Sequence, residues 1–388
     1  MKQDRRFQQM VATFAILAFS VSPPRAVADV IDVPVLTTRA GERMVAATPG
    51  YLTWAQNTRA RPGHFDVFAK MTGGSRFKVN AAGTEGALGG IDGTTLAYQE
   101  YEFKRGLSDI KLFDLETLTK TDPPTGVNTT NWEYWPDISR PWLLFVRYRL
   151  TAYKLAIILF NLDTQEKRVL DVVSDLDYVQ PGQVNGNYAV WMRWVRPGRS
   201  RIFVYDIAAD TVNRIPNTRS FDWAPSVTEN GTVYFGRTGR RCGSNNPRVM
   251  RYPRQGPLAV VLRLPEGVDM SDSYVSPLED GSIQVFHNRI RCGESKTASD
   301  IYRFVDDYTV TLSISIEGLG SVTSGPPGIE CGADCSHEYE PGTEVTLSPD
   351  AAEGWAFTGW SDPSCPGTDP CTLTLTEDAN LTATFGSP

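Results

Sequence analysis

Short apolar segments separated by polar turns fill most of the chain, and they recur as a phrase at intervals of 43 to 52 residues. In each copy, a strand that usually opens with Gly is followed by a loop and by a second strand that often begins with Asp-Ile. The clearest copy runs from Gly93 to Thr117, as GTTLAYQEY, FKRGLS and DIKLFDLET. Bounded runs of this kind are typical of β-strands. Six copies are present, and their second strands begin at Asp66, Asp109, Lys154, Arg201, Arg248 and Asp300.

Each copy contains two further apolar segments. One precedes the first strand, often with a Pro, as in WPDIS from Trp135; another follows the second strand, as in RVLDV from Arg168. Four short strands joined by tight turns form an antiparallel meander. Because meanders packed around an axis form a β-propeller, the pattern predicts an all-β chain with a six-bladed propeller over residues 29–307.

The phrase resembles the repeats of TolB-like six-bladed propellers, in which a Gly-opened strand precedes an Asp-Ile strand. The resemblance covers roughly residues 33 to 307. The resemblance implies a fold, but a fold by itself does not identify a ligand. No α/β domain precedes the repeats, as it does in TolB, so we do not expect a role in the Tol envelope system.

One apolar segment, VIDVPVLT from Val30 to Thr37, belongs to no copy, while the sixth copy lacks a fourth strand. Propellers avoid open sheet edges by lending a terminal strand to the last blade. We therefore predict that residues 29–40 supply a closing strand. The alternative is an extended N-terminal arm without a pairing role.

The N-terminus has the features of a secretory signal peptide. Basic residues precede an apolar run from Met10 to Val21, and Ala26-Val27-Ala28 follows. We predict cleavage after residue 28, because the run is short for a membrane span. An uncleaved anchor is the alternative. We expect no membrane span in the mature chain.

From residue 308 the phrase disappears, and Thr-rich alternating strands with Gly-Trp and Pro-Gly turns predict a separate small all-β module over 308–388. This part resembles the divergent InlB B-repeat modules of bacterial surface and secreted proteins. The resemblance implies export from a bacterium and no chemistry. It is carried by Gly318 to Val322, Cys331, Gly332, Cys335, Gly342, Thr343, Val345, Leu347, Phe357, Gly359, Trp360, Cys365, Cys371 and Leu381 to Phe385.

Six cysteines in an exported chain predict three disulfides. Cys242 and Cys292 occupy equivalent Arg-Cys-Gly positions in copies five and six, so a bridge between them would join adjacent blades. Cys331 with Cys335 and Cys365 with Cys371 are the expected local pairs, with crossed pairing within the module as an alternative. A zinc site built from these four departs from the usual ligand spacing. We predict no metal and no cofactor.

Catalytic motifs are scarce. The three histidines, His64, His287 and His337, fall in different units without metal-ligand spacing. No Gly-x-Ser-x-Gly elbow occurs, so we predict no catalytic residue. A pair of carboxylates facing each other across a substrate stays an open alternative.

Basic residues mark one predicted face. The loop between the two strands of the phrase carries cations in every copy, and aromatic residues lie in the connections between copies. Aromatic rings stack on sugars, and Arg pairs with carboxylates in bidentate fashion. The alternative is solvated surface charge, with the Trp residues as core. The hypothetical binding residues are Arg147, Arg193, Arg196, Arg237, Arg289, Trp135 and Trp223.

The sequence thus predicts an exported, monomeric, non-catalytic binding or scaffold protein in the periplasm, at the cell surface or outside the cell. Its partner would be an acidic polysaccharide or an envelope protein. A nucleic acid is not expected, because the net charge is −7. The alternatives are a propeller-type polysaccharide lyase or hydrolase, and a purely structural surface protein, which would be favoured if the basic residues are paired with acids.

Overall fold

A computed structural model describes residues 31–38, 41–57, 64–174, 176–196, 199–216, 221–238, 247–254, 258–270, 272–278, 282–292, 299–306, 309–339, 343–375 and 378–387, without the side chains of Leu88, Arg196 and Thr238. Within these ranges every element is a β-strand, which confirms the all-β class. The predicted signal peptide, residues 1–28, lies outside them. No helix in the described ranges is long and apolar enough to cross a membrane.

Six sheets follow one another along the chain after β1 (Val33–Leu36). Sheet 1 contains β2 (Glu42–Thr48), β3 (Tyr51–Asn57), β4 (Phe65–Met71) and β5 (Arg76–Lys78). Sheet 2 contains β6 (Glu85–Asp92), β7 (Thr95–Glu102), β8 (Leu107–Asp114) and β9 (Thr119–Thr121). Sheet 3 contains β10 (Trp132–Ser139), β11 (Trp142–Arg149), β12 (Lys154–Asn161) and β13 (Lys167–Ser174).

The remaining three sheets repeat this arrangement. Sheet 4 contains β14 (Val179–Asn185), β15 (Tyr188–Arg196), β16 (Arg199–Asp206) and β17 (Thr211–Arg214). Sheet 5 contains β18 (Phe221–Val227), β19 (Val233–Thr238), β20 (Arg248–Tyr252) and β21 (Ala259–Arg263). Sheet 6 contains β22 (Val268–Asp269), β23 (Ser273–Pro277), β24 (Ile283–Arg291), β25 (Ser299–Asp306) and also β1. The two strands of each sequence phrase are the adjacent middle strands of each sheet.

The strand β1 pairs antiparallel with β25, so the N-terminal segment is not an unpaired arm. The preceding residue, Asp32, reaches one strand further and contacts β24. The Nε2 atom of His287 lies 3.0 Å from Asp32 Oδ1, and Arg289 also forms an ion pair with Asp32. These contacts fix the start of β1 to the sixth sheet.

Adjacent sheets pack face to face, and this explains the uninterrupted apolar run in β11. Leu143 and Leu144 are both fully buried. Successive side chains of a strand point to opposite faces of the sheet. Leu143 packs in a core cluster with Ile110 of sheet 2, whereas Leu144 packs with Trp191 of sheet 4. Both faces of sheet 3 are therefore covered.

One strand of each sheet, termed here the inner strand, contacts the inner strands of the neighbouring sheets. These strands are β2, β6, β10, β14, β18 and β23, and β2 contacts both β6 and β23. Two glycines allow this approach. A Cβ atom on Gly89 would lie 1.9 Å from the carbonyl oxygen of Pro136, and one on Gly182 would lie 2.0 Å from that of Pro225. Neither position has space for a larger residue.

Serine hydroxyls form hydrogen bonds between sheets 2 and 3, between sheets 4 and 5, and between sheets 6 and 1. Ser108 of sheet 2 donates to the backbone carbonyl of Glu133 of sheet 3 at 2.8 Å. Ser200 of sheet 4 does the same to Asp222 of sheet 5. Ser299 of sheet 6 donates to the carbonyl of Glu42 of sheet 1. Each inner strand that receives such a bond carries a buried acid at that position.

The C-terminal part has two sheets of its own. One contains β26 (Val310–Glu317), β29 (Ser336–Tyr339), β31 (Ala356–Trp360) and β33 (Ala379–Gly386). The other contains β27 (Gly320–Gly325), β28 (Glu330–Cys331), β30 (Glu344–Ala351) and β32 (Cys371–Thr374). The strands β26 and β33 run parallel. Leu312, Val345 and Leu381 belong to a core cluster formed by the two sheets.

Two disulfides lie in this part, Cys331 to Cys335 and Cys365 to Cys371, and they are the local pairs that the sequence predicts. Cys292 is also disulfide-bonded. Its predicted partner, Cys242, lies outside the described residues. Across the described ranges, no group of three or more His, Cys, Asp or Glu is arranged to hold a metal ion.

Candidate binding face

A continuous chain of aromatic side chains crosses sheets 3, 4 and 5 at the end where their inner strands begin. Successive ring centroids are 5.1 to 6.1 Å apart. We call this chain the aromatic arc. Its members, in order of contact, are Tyr148, Trp132, Tyr134, Trp135, Tyr178, Trp194, Phe221 and Trp223.

The strand pattern and a bulge place these rings. Trp132 and Tyr134 are two residues apart on β10, so their side chains lie on the same face of the sheet. Trp132 is paired with Tyr148 on β11. The next residue, Trp135, has a φ of 45° at a register shift of β10. This left-handed conformation is rare for a bulky residue. The bulge redirects the Trp135 ring, which then contacts Tyr178 of the neighbouring sheet.

The arc contains one exposed ring, and the polar atoms of two of its members are hydrogen-bonded, whereas the indole nitrogen of Trp223 is buried without a partner among the described residues. Trp194 is 39% exposed, and the other members are partly buried. The indole nitrogen of Trp132 donates to the carbonyl of Gly106 at 2.9 Å, and the hydroxyl of Tyr178 donates to Gln180 at 3.1 Å. Burial, with a smaller effect of the Asp272 carboxylate, raises the pKa of Tyr178 to about 12. Tyr178 is therefore neutral at physiological pH.

A cavity of about 80 Å³ lies beside the arc, between the inner strands. Trp135, Gln180, Asp137 and Asp272 are among its lining residues. The Asp137 carboxylate accepts the Val184 amide at 2.6 Å, which links sheets 3 and 4. Burial raises the pKa of Asp137 well above its usual range.

Arg147 and Arg237, two of the predicted binding residues, are held by buried acids. The Nε atom of Arg147 donates to Glu133 at 2.7 Å, and its Nη2 atom donates to the carbonyl of Val127 at 2.6 Å. Arg237 donates to both carboxylate oxygens of Asp222, at 2.7 and 3.0 Å. Burial raises the pKa of Glu133 and of Asp222, while the paired guanidinium acts in the opposite direction.

The other predicted arginines are also located on strands. Arg193 forms an ion pair with Asp171 at 3.1 Å, and its side chain is 39% exposed. Arg289 pairs with Asp32. The backbone of Arg196 ends β15, and its side chain is outside the described part. The expectation that these residues lie in loops was wrong, because the hairpin strands extend through these positions.

Three residues that the sequence did not single out belong to this face. Trp194 completes the arc between Tyr178 and Phe221. The repeated aromatic residues in the WMRWVR segment were the available signal. Arg43 and Asn57 lie on sheet 1, where Met44, the residue after Arg43, lines the cavity. No sequence signal distinguishes Arg43 and Asn57, since their significance depends on tertiary burial.

Comparison with solved structures finds similar folds at low identity. TolB from Acinetobacter baumannii is 15% identical, with 66% of this chain and 64% of that chain covered and a TM-score of 0.45. The β-propeller domain of the Trilobed protease from Pyrococcus furiosus is 12% identical, with 82% and 92% covered and a TM-score of 0.45. An oligogalacturonate lyase from Vibrio parahaemolyticus is 12% identical, with 70% and 72% covered and a TM-score of 0.40. We transfer no activity from these proteins.

Comparison by sequence gives one assignment. No curated protein sequence matches this chain at a significant level. Residues 310–387 match the family model of the divergent InlB B-repeat domain, which confirms the resemblance predicted for the C-terminal part of the chain.

Proposed function

We propose that this protein is an exported, non-catalytic binding protein whose six sheets form a six-bladed propeller. Support for the ring comes from the contacts of each inner strand with the next, including β2 with β23. The pairing of β1 with β25 would close the last blade. The C-terminal module would act as a spacer or an attachment unit.

The ligand in this proposal is a polysaccharide bound along the aromatic arc. The observation that carries the proposal is the unbroken series of ring contacts across three sheets, with Trp194 exposed within it. Exposed aromatic side chains that also have polar neighbours suit ligands with apolar faces and hydroxyl edges. Sugar rings have both.

The arginines contribute less to this proposal than the sequence suggests. Arg147, Arg237 and Arg289 are each paired with an acid of this chain, and such pairs have little charge left for a ligand. Trp135, Trp223 and the partly exposed Arg193 remain in the proposed face. Binding should therefore depend on ring stacking more than on the field of these cations.

The test is affinity electrophoresis of the full chain in gels that contain neutral or acidic polysaccharides. We expect retardation by at least one polymer, and an affinity about tenfold lower for Trp194→Ala. This size follows if a sugar stacked on Trp194 contributes at the lower end of the about 1–3 kcal/mol known for bases stacked on aromatic side chains. Tyr153→Ala is the matched control, since Tyr153 is exposed and forms no link of the arc. Unaltered mobility in every gel would reject the proposal.

A polysaccharide lyase or hydrolase is the second candidate, because Asp137 and Asp272 both line the cavity. Paired carboxylates are the usual catalytic groups of glycoside hydrolysis. Release of reducing or unsaturated sugar by the wild-type chain, abolished in Asp272→Asn, would move the protein to this class.

A further inference from the structure

We propose that Arg43 and Asn57 form a carboxylate-binding subsite beside the central cavity, and that the polysaccharide ligand therefore contains uronic acid residues. This inference rests on the proposed function and specifies the substrate class of the same face. It depends on two side chains of sheet 1, Arg43 and Asn57, of which three polar atoms have no hydrogen-bond partner in the described part of the chain.

Strand register places the two side chains on one face of sheet 1. Arg43 on β2 is paired with Ala55 on β3. Asn57 lies two residues further along β3, so its side chain points to the same face as that of Ala55. The backbone N–H of Asn57 donates to the carbonyl of Gly41 at 3.1 Å, which fixes this end of the hairpin. Diagonal neighbours of this kind are within reach of a long side chain.

Three polar atoms of this pair are buried, while Arg43 as a whole is partly exposed. The Nε atom of Arg43 is buried, as are the Nδ2 and Oδ1 atoms of Asn57, and none of the three has a hydrogen-bond partner among the residues that the structure describes. Asn57 is 6% exposed. An unsatisfied buried polar group costs about 1–3 kcal/mol, and such groups in native proteins call for an explanation. A ligand that supplies the missing partners would provide one.

Arg43 differs in its electrostatic partners from the four arginines of the other sheets that the sequence singles out and whose side chains are described. Arg147, Arg193, Arg237 and Arg289 each form an ion pair. Within the described ranges, Arg43 forms none. Burial lowers the pKa of the Arg43 guanidinium, and the Asp272 carboxylate acts in the opposite direction. An arginine stays protonated at neutral pH despite such burial, so Arg43 keeps a charge that is not neutralised by direct contact.

The subsite is adjacent to the proposed ligand path. Met44 and Val45, which follow Arg43 directly, line the cavity together with Trp135 of the aromatic arc. The Arg43 guanidinium also lies over the ring of Phe65, 5.6 Å from its centroid. A chain bound along the arc and continuing over the cavity would therefore reach Arg43.

The donors and the acceptor match a uronic acid. The guanidinium donates to carboxylate oxygens, and the Asn57 amide offers one donor group and one acceptor, which suit a carboxylate oxygen and a neighbouring hydroxyl. Charge-assisted bonds of this type are roughly twice as strong as neutral ones. A neutral hexose would satisfy the amide but leave the guanidinium without an anion.

The experiment compares polygalacturonate with its methyl ester, which has the same backbone and no charge. We expect the wild-type chain to bind polygalacturonate about tenfold more tightly at low salt, and Arg43→Gln to lose this preference while still binding the ester. Arg149→Gln, at an exposed cation, should keep the preference. A preference that survives Arg43→Gln would overturn the subsite and leave the proposed function intact.

A second measurement separates failure of the subsite from failure of the arc. Free galacturonate should raise the thermal midpoint of the wild-type chain and of Trp194→Ala, and it should not raise that of Arg43→Gln. Equal shifts in all three proteins, or no shift in any, would overturn the subsite. If neither polymer binds but galacturonate gives the expected pattern, the polysaccharide proposal fails and the carboxylate site stands.

Discussion

The hydroxyl of Ser299 donates a 2.5 Å hydrogen bond to the backbone carbonyl of Glu42, across 257 residues of sequence. This bond joins the third long strand of sheet 6 to the inner strand of sheet 1. Ser200 with Asp222 and Ser108 with Glu133 repeat it two and four sheets earlier. The repeat indicates that pairs of sheets, rather than single sheets, share one bonding scheme.

Replacing Ser299 should weaken the junction between the first and last sheets. In Ser299→Ala the buried carbonyl of Glu42 loses its donor, so we expect a loss of about 1–3 kcal/mol in the free energy of unfolding. Chemical denaturation followed by tryptophan fluorescence measures it. Ser75→Ala, at an exposed position, is the control. Equal stability of the two variants would mean that the bond does not contribute to this junction.

Removing the Arg147 side chain should destabilise the protein strongly. Glu133 is fully buried and would lose its cationic partner, so we expect Arg147→Ala to cost about 3–5 kcal/mol. Arg149→Ala, two residues away and exposed, should change stability by less than about 0.5 kcal/mol. Thermal and denaturant unfolding provide the values. If Arg147→Ala is as stable as the wild type but binds polysaccharide less well, Arg147 is a binding residue rather than a structural one.

The pKa of Asp137 predicts a specific dependence of stability on pH. Because burial raises its pKa in the folded state, the native state loses stability relative to the unfolded state as pH rises above about 4. Asp137→Asn removes this loss. The stability of the variant relative to the wild type should therefore increase from pH 4 to pH 8, as measured by thermal midpoints.

Asp114 provides a control of opposite sign. Hydrogen bonds from Thr117, with smaller contributions from Thr94 and Glu116, lower its pKa. The stability that Asp114 contributes is present above the unfolded pKa and is lost as pH falls. Asp114→Asn should therefore lose stability relative to the wild type as pH rises. If both variants gained relative stability as pH rises, the pKa shift assigned to Asp114 would be wrong; if both lost it, the shift assigned to Asp137 would be wrong.

The hydrophobic pattern of the sequence predicted the strands correctly. The positions of the basic residues did not reveal which of them are paired with acids. The apolar run WLLFVR forms most of β11. Such a run predicts a strand because the hydrophobic pattern depends only on residues that are neighbours in the sequence. The basic residues of the phrase were visible, but their partners were not. Glu133 precedes Arg147 by 14 residues, and Asp32 precedes Arg289 by 257 residues. Such pairs depend on which strands become neighbours.

The sequence by itself determined the strands, the repeated phrase, the local disulfides and the C-terminal family, since each depends on residues that are close along the chain. The tertiary structure alone decided which charges are neutralised and which aromatic rings touch. The sequence singles out Arg147 as a binding residue and does not distinguish Arg43. Packing of distant strands places a buried carboxylate against Arg147, whereas Arg43 has no direct ion-pair partner in the described part of the chain. Burial and electrostatic pairing are properties of the assembled sheets, so the candidate carboxylate site became visible only in three dimensions.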